Sequence, residues 1–380
     1  MKPNKSVIII GTVASSILGF RANLITALLE QQHSVYTFVS EYNQDELNAI
    51  AALGATPITY ELNRGGINPL ADTKATYALF KKIKEIAPDL VFSYFSKPVI
   101  FGTLAAKLAK VPRVIGMLEG LGYAFTEQPE GLSKKAQLIK SIQVLLYKIA
   151  LPQLDKIIFL NPDDPKDLLE TYHIKVKQVD VLGGIGLDLY EYNYQPIGTI
   201  DSPINFLFIG RMLKEKGIHD FISAAKIVKQ SHPDMQFTVL GAIDSSNPGA
   251  LQQSELDRLI SLNIINYPGQ VDNVQKWIAA SHVFVLPSYR EGVPRSTQEA
   301  MAIGRAIITT DVPGCRETVV HGVNGFLVEN WNPEALAEKM IHFIEHPEEI
   351  KKMGYESYKI AQDKFDVHKV NKRLINMLDL

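Results

Sequence analysis

The sequence predicts an α/β protein made of two doubly wound, Rossmann-like domains. Three observations predict it. Short β-rich runs alternate with amphipathic helical patterns, the signature of parallel sheets covered by helices. The alternation lapses over residues 187–202, a polar stretch with tyrosines and prolines and no clean period, and then starts again. The length of 380 residues is too great for one ordinary core and comfortable for two.

The first series of strands is expected at residues 7–10, 34–39, 56–60, 90–95, 113–117, 157–160 and 178–181, with helices such as 23–31 and 73–87 between them. The opening run Val7-Ile8-Ile9-Ile10 is too short for the apolar core of a signal peptide and reads as a buried first strand. The second series falls at 205–209, 236–240, 264–267, 283–286, 306–309 and 325–328. Residues 333–380 read as charged helix, with breaks near His346-Pro347 and Asp366. The expected domains are 1–190 and 203–362, with a helix at about 365–380 packing back onto the first. Ligands of such sheets bind beyond the carboxyl ends of the strands, so two facing domains would hold a site in the cleft between them.

Composition narrows the partners. Hydrophobic residues make up 46% and charged residues 21%, the balance of a globular protein, and the formal net charge is −2. A nucleic-acid partner is not expected, because diffuse polyanion binding calls for a clear basic excess. The lone cysteine, Cys315, cannot form a disulfide framework or a cysteine zinc site. With no apolar window long enough to span a bilayer, the expected location is cytoplasmic, either free or peripheral on the cytoplasmic face of the inner membrane.

The strongest chemical signal is the string from Ser288 to Ala300, directly after the strand expected at 283–286. Pro294 suits the first turn of a helix, where its missing N–H would be unpaired anyway. Glu291 then sits in the loop before that helix and Glu299 inside it. Gly292 lets a ligand approach the backbone, and the N–H groups of a helix start favour anions and hydroxyl oxygens. Two carboxylates make sense there if they accept hydrogen bonds from hydroxyls, such as a ribose diol and a hexose hydroxyl. The bland alternative is a solvated surface acid and an ordinary helix glutamate. The second signal is Gly210-Arg211-Met212-Leu213-Lys214-Glu215-Lys216-Gly217, again between a strand and a helix. Arg211 and Lys216 could offer two cations to one diphosphate. Alone, such a loop is more often a βα turn with solvated basic residues.

Taken together, Gly210-Arg211…Lys216-Gly217 and Glu291…Glu299 resemble the signature of the family-four retaining glycosyltransferases of the GT-B fold. Pro313-Gly314-Cys315-Arg316-Glu317 and the segment from Gly322 to Val328 resemble that family's C-terminal domain, and the likeness spans essentially the whole chain. Lys97-Pro98, Gly102 and the stretch Glu119 to Phe125 resemble the bacterial surface-polysaccharide branch, whose members build capsule or O-antigen. The resemblance implies transfer of a hexose or N-acetylhexosamine from a UDP-sugar to a polyprenyl diphosphate-linked saccharide, with retention, no cofactor and no metal. It implies that Arg211 and Lys216 hold the diphosphate, Glu299 the ribose and Glu291 the transferred sugar. Gly210, Gly292, Val293 and Pro294 would shape the donor site, and Val271 would meet the base. A front-face attack, with the leaving phosphate taking the acceptor proton, would explain the want of an obvious nucleophile. Glu291 as a covalent nucleophile is the alternative.

In the first domain, Gly11-Thr12-Val13-Ala14-Ser15-Ser16 follows the first strand without the spacing of a dinucleotide fingerprint. The family's use of such a turn is to touch the diphosphate, and a plain glycine turn is the equal alternative. Gly183-Gly184-Ile185-Gly186 reads as a hinge. Many relatives carry a histidine near the sugar where this chain has Glu119, which leaves three roles open: a contact to sugar or acceptor, a base, or a capped loop acid. Lys97 is a further acceptor candidate. Residues 133–151 interleave lysines with Leu, Ile and Val, as a helix lying on an anionic membrane does, or as a core helix with snorkelling lysines does. His219, His232, His282 and His321 lack metal-ligand spacing. A nucleotide-sugar epimerase of the same fold, or a non-catalytic nucleotide-sugar-binding subunit, remains the competing function.

Overall fold

The computed structural model describes residues 4–62, 68–200, 203–244, 247 and 249–380; Asp201 and Ser202 of the expected linker and Met1 to Pro3 lie outside them. The chain divides into two compact units. Unit 1 comprises Met1–Phe125, Leu132–Ile185 and Val367–Leu380, and unit 2 comprises Thr126–Gly131 and Gly186–Asp366.

Unit 1 is one parallel sheet of seven strands: β1 (Ser6–Ile10), β2 (Ser34–Val39), β3 (Thr56–Thr59), β4 (Leu90–Tyr94), β5 (Arg113–Leu118), β6 (Lys156–Phe159) and β7 (Val179–Val181). Their order across the sheet is β3-β2-β1-β4-β5-β6-β7. The interleaved helices are α1 (Ala14–Glu30), α2 (Gln44–Ala52), α3 (Pro69–Ile86), α4 (Thr103–Leu108), α5 (Lys134–Ala150) and the short α6 (Asp163–Pro165). Val7, Ile8, Ile9 and Ile10 are all fully buried. That is why the first strand reads as an unbroken apolar run: a parallel strand is covered on both faces. Helix starts follow local chemistry. Asn43 closes a capping box with Glu46 at the start of α2, and Asn68, with Pro69 as the first helical residue, opens α3.

Unit 2 repeats the design with β8 (Asn205–Ile209), α7 (Ile218–Ser231), β9 (Gln236–Leu240), α8 (Gln253–Ser261), β10 (Asn266–Gly269), α9 (Val274–Ala279), β11 (Val283–Leu286), α10 (Arg295–Ile303), β12 (Ala306–Thr310) and β13 (Gly325–Val328). The sheet order is β10-β9-β8-β11-β12-β13, all parallel where paired. Helices α11 (Pro333–Glu345) and α12 (Pro347–Lys364) complete it, while α13 (Val367–Met377) belongs to unit 1. Several boundaries differ from the sequence reading, most of all the helix expected at 23–31, which runs Ala14–Glu30. The strand expected at 264–267 lies at Asn266–Gly269, because Asn263 takes a left-handed φ of 52° and delays the strand. The helix expected from Pro294 starts at Arg295, and Pro294 is its extended N-cap.

Candidate active site in unit 2

Strands β8 and β11 are neighbours in the sheet although β9 and β10 intervene in sequence. The connections therefore run to opposite sides from this pair, which opens a crevice at the carboxyl ends. The two loops singled out by the sequence are the ones that leave those ends.

Backbone contacts lock the loops together. The Tyr289 N–H donates to the Glu215 carbonyl at 2.9 Å, and the Glu291 N–H donates to the Pro313 carbonyl at 3.0 Å. Gly217, at φ 74°, ends the 3₁₀ turn Lys214–Lys216 and packs so closely on the Pro287 carbonyl that a Cβ would collide with it. Gly314, at φ 80°, packs in the same way on the Glu291 and Gly292 carbonyls. Both positions demand glycine for conformation and for space.

This framework aims side chains at one point. Lys216 Nζ lies 2.5 Å from Glu291 Oε1, and Ser288 Oγ donates to the same oxygen at 2.7 Å. The Ser288 carbonyl is held in turn by Thr310 Oγ1. Next to this group α10 begins, and no side chain among the described residues caps it. A helix start without a side-chain cap favours an anion or a hydroxyl there. Thr297, in the first turn, is fully buried with its Oγ1 unpartnered among the described residues. Gly292, Val293 and Pro294 are buried and form the wall between Glu291 and α10.

Glu299 lies on α10 and is almost wholly buried. Arg295 Nε donates to its Oε1 at 2.9 Å, and the Tyr192 hydroxyl bonds it as well. Burial raises the Glu299 carboxyl above its ordinary range, against the opposing pull of Arg295. Burial, and then the Glu299 charge, raise the Tyr192 phenol. Cys315, fully buried, has its thiol pushed up to about 12 by burial and by Glu291, so it is no nucleophile.

Not every expected residue converges. Arg211 is largely exposed, and its Nη1 lies 3.9 Å from Asp244 Oδ2. Gly210 donates its N–H to the Leu240 carbonyl and serves the strand end. Val271 is half-buried beyond the end of β10, the edge strand, two strands from β8. Conversely, the sequence reading assigned no role to Ser288, Arg295 or Tyr192. Ser288 was legible as the residue three before Glu291. Tyr192 sits in the aperiodic segment and left no signal.

Two family models match the chain: "Glycosyl transferases group 1" over residues 191–360 and "Glycosyl transferase 4-like" over residues 6–161. Solved structures share the whole architecture; an Anabaena protein in complex with UDP-glucose covers 99% of this chain and 100% of its own at a TM-score of 0.76 and 17% identity. The chain is a glycosyltransferase of the GT-B fold. The transferase is 29% identical over 345 residues to the N,N'-diacetylbacillosaminyl-diphospho-undecaprenol alpha-1,3-N-acetylgalactosaminyltransferase of Campylobacter jejuni, with 87% of each chain covered. It is 26% identical over 274 residues to the UDP-Gal:alpha-D-GlcNAc-diphosphoundecaprenol alpha-1,3-galactosyltransferase of Escherichia coli, covering 69% of this chain and 68% of that one.

In unit 1 of the transferase the reversal point lies between β1 and β4. Here packed side chains fill the space. Gly11 lies against the Tyr94 hydroxyl, its carbonyl accepts from the Tyr60 hydroxyl at 2.5 Å, and Thr12 is buried. Ser16 Oγ and the Tyr94 hydroxyl are 3.0 Å apart. Arg21 is buried over the Tyr94 ring, 4.4 Å from its centroid, and forms an ion pair with Glu119. Glu119 is thus held against a buried guanidinium. Lys97 Nζ lies 3.2 Å from Asp72 Oδ1 at the rim of a groove beside α5.

Proposed function

We propose that the transferase moves a hexose or N-acetylhexosamine from a UDP-sugar to a polyprenyl diphosphate-linked saccharide in surface-polysaccharide assembly, with retention and without a metal. One observation carries the donor reading: Lys216, Glu291 and Ser288 meet beside the uncapped start of α10 at the reversal point of a parallel sheet. A diphosphate there meets an ammonium and open N–H groups. Glu291 and Glu299 accept hydrogen bonds from sugar and ribose hydroxyls. Arg211 reaches the diphosphate by leaving Asp244, which its exposure permits.

As the bond from the anomeric carbon to the phosphate oxygen breaks, negative charge grows on the departing UDP. Lys216 and the α10 N–H groups stabilise that charge more in the transition state than in the bound donor. The acceptor hydroxyl attacks the same face, forming the new glycosidic bond, and its proton passes to the departing phosphate oxygen. Both relatives named above carry a diphospho-undecaprenol acceptor in their names, which supports the lipid-linked acceptor.

Helix α5 supports a peripheral seat on the cytoplasmic face of the inner membrane. It carries Lys134, Lys135, Lys140 and Lys148 and no acid. Its Leu138, Leu145 and Ile149 are exposed, so the core-helix alternative fits only Ala136, Val144, Tyr147 and Ala150. Among the described residues no helix is long and apolar enough to cross a membrane.

The test is a thermal-shift screen of nucleotide sugars, because a ligand bound only by the folded protein raises its apparent stability. It is followed by turnover of the best donor in the presence and absence of EDTA, with the product's anomeric configuration read by NMR. A shift with one UDP-sugar, EDTA-insensitive turnover and a retained configuration are expected. An inverted product or a strict metal requirement would overturn the mechanism. Conversion of donor with no acceptor added would favour an epimerase.

A further inference from the structure

Between α5, the π-type turn Pro98–Gly102 and the segment after β5 lies a groove with a volume of about 580 Å³. It opens beyond the carboxyl ends of β4 and β5, the edge of the sheet at which ligands of such folds bind. Its lining is mostly hydrocarbon, with Ile100, Phe101, Leu121, Ile139, Ile142 and Leu146 prominent, and Lys97 and Lys135 line it as well. Its size falls in the span of small-molecule sites, roughly 300–1,000 Å³. From the groove, the apolar stripe of α5 continues along Leu138, Leu145 and Ile149, spaced seven and four residues apart on one helical face. Contiguous exposed apolar surface of this kind marks a place that something covers.

We infer that this groove seats the first isoprene units of a polyprenyl diphosphate, with Lys97 and Lys135 meeting the diphosphate and the remaining chain leaving along the exposed stripe of α5. The inference rests on the lipid-linked acceptor proposed above and gives it a location. Charge decides the occupant. The groove combines hydrocarbon walls with lysines, and α5 carries four lysines and no acid, so a neutral lipid matches the walls alone and a bare diphosphate matches the charge alone. A prenyl diphosphate satisfies both. Asp72 is the opposing element: it holds Lys97 at 3.2 Å, so an arriving diphosphate shares or displaces that contact.

The experiment uses the full chain and a benzophenone-bearing farnesyl diphosphate as a photoprobe, with labelled peptides mapped by mass spectrometry. Labelling is expected within residues 97–101, 121–124 and 138–146, competed by farnesyl diphosphate and about tenfold less well by farnesol or inorganic pyrophosphate. Lys97→Gln and Ile139→Glu should each cut labelling about tenfold. Leu138→Ser, at a position 61% exposed, is the second apolar variant should Ile139→Glu fail to fold. Labelling elsewhere, labelling indifferent to all three substitutions, or equal competition by farnesol overturns the inference. So does binding to phosphatidylglycerol vesicles without any labelling of the groove, which would mean that α5 merely lies on the bilayer. A parallel UDP thermal shift separates the two readings. A shift without groove labelling sinks only the lipid seat, and groove labelling without a shift sinks only the donor assignment.

Discussion

The two sheets share one strand order up to the sixth strand, yet their reversal points have been put to different uses. In unit 2 the crevice between β8 and β11 is lined by groups with chemistry to offer: an ammonium, two carboxylates and the N–H groups of an uncapped helix. In unit 1 the matching space between β1 and β4 is filled by Tyr94, Tyr60 and the buried pair of Arg21 and Glu119. The same topology therefore supplies a place for a site without dictating one. What differs is access: the Arg21 and Glu119 side chains are sealed at 2% and 8% exposure, whereas those of Lys216 and Glu291 keep 24% and 12%.

The comparison can be broken by substitution. The largest effect is expected at the packed point. Arg21→Met leaves Glu119 buried without its counter-charge and should cost about 3–5 kcal/mol of stability. Adding Glu119→Gln should recover much of that, as read by denaturant midpoints. A Glu119→Gln variant with unchanged stability and lost turnover would instead make Glu119 a catalytic group and erase the contrast. Next comes Lys216→Ala, expected to lower kcat about 10²–10³-fold, some 3–4 kcal/mol of barrier, with little change in the thermal midpoint. Equal losses of stability in the Arg21 and Lys216 variants would mean that both points are structural.

A control sits at the opposite edge of the unit 1 sheet. Asp155 is penalised by burial but accepts bonds from Lys177 Nζ at 2.7 Å, Lys107 Nζ at 2.9 Å and the Val114 N–H at 2.9 Å, and the net effect holds its carboxyl down at about 2. A depressed carboxylate contributes stability above its unfolded range that disappears as pH falls through the folded value. Asp155→Asn should therefore lose about 1–3 kcal/mol at neutral pH, and its gap from the parent should close between pH 4 and pH 2 in acid-unfolding curves. UDP affinity, measured at neutral pH, should not change. The smallest effect is expected at Glu299. Burial raises its carboxyl, so protonation as pH falls through that raised range removes an acceptor for ribose hydroxyls. UDP affinity should weaken there, while Glu299→Gln should bind about tenfold more weakly and show no such pH step in calorimetric titrations.

Much of the fold was legible because parallel strands buried on both faces leave long apolar runs, as at Val7 to Ile10. The donor loops were legible because a strand end, a glycine and a helix start leave local marks around Lys216 and Glu291. What the sequence hid depends on contacts between distant segments. Tyr192 reaches Glu299 from an aperiodic stretch, and Arg305, fully buried, donates to the carbonyls of Ile278, Ala279, Gly304 and Gln195. Helical periodicity also could not say which side of α5 faces the core, since Leu138 and Val144 look alike in sequence and differ wholly in exposure.

Helix α13 carries a consequence for biogenesis. The buried Lys156 ammonium donates to the Met377 carbonyl at 2.6 Å, Lys5 Nζ donates to the Asp379 carbonyl at 3.0 Å, and Arg113 pairs with the Asp379 carboxylate. The sheet that starts to form first on the ribosome thus waits for residues 367–380, made after all of unit 2 has been synthesised. Nascent chains stalled before that point keep the Lys156–Asp180 pair at 3.0 Å but lack the Met377 carbonyl and the helix that completes the sheet's cover, which makes late synthesis the window in which chaperones have the most to hold.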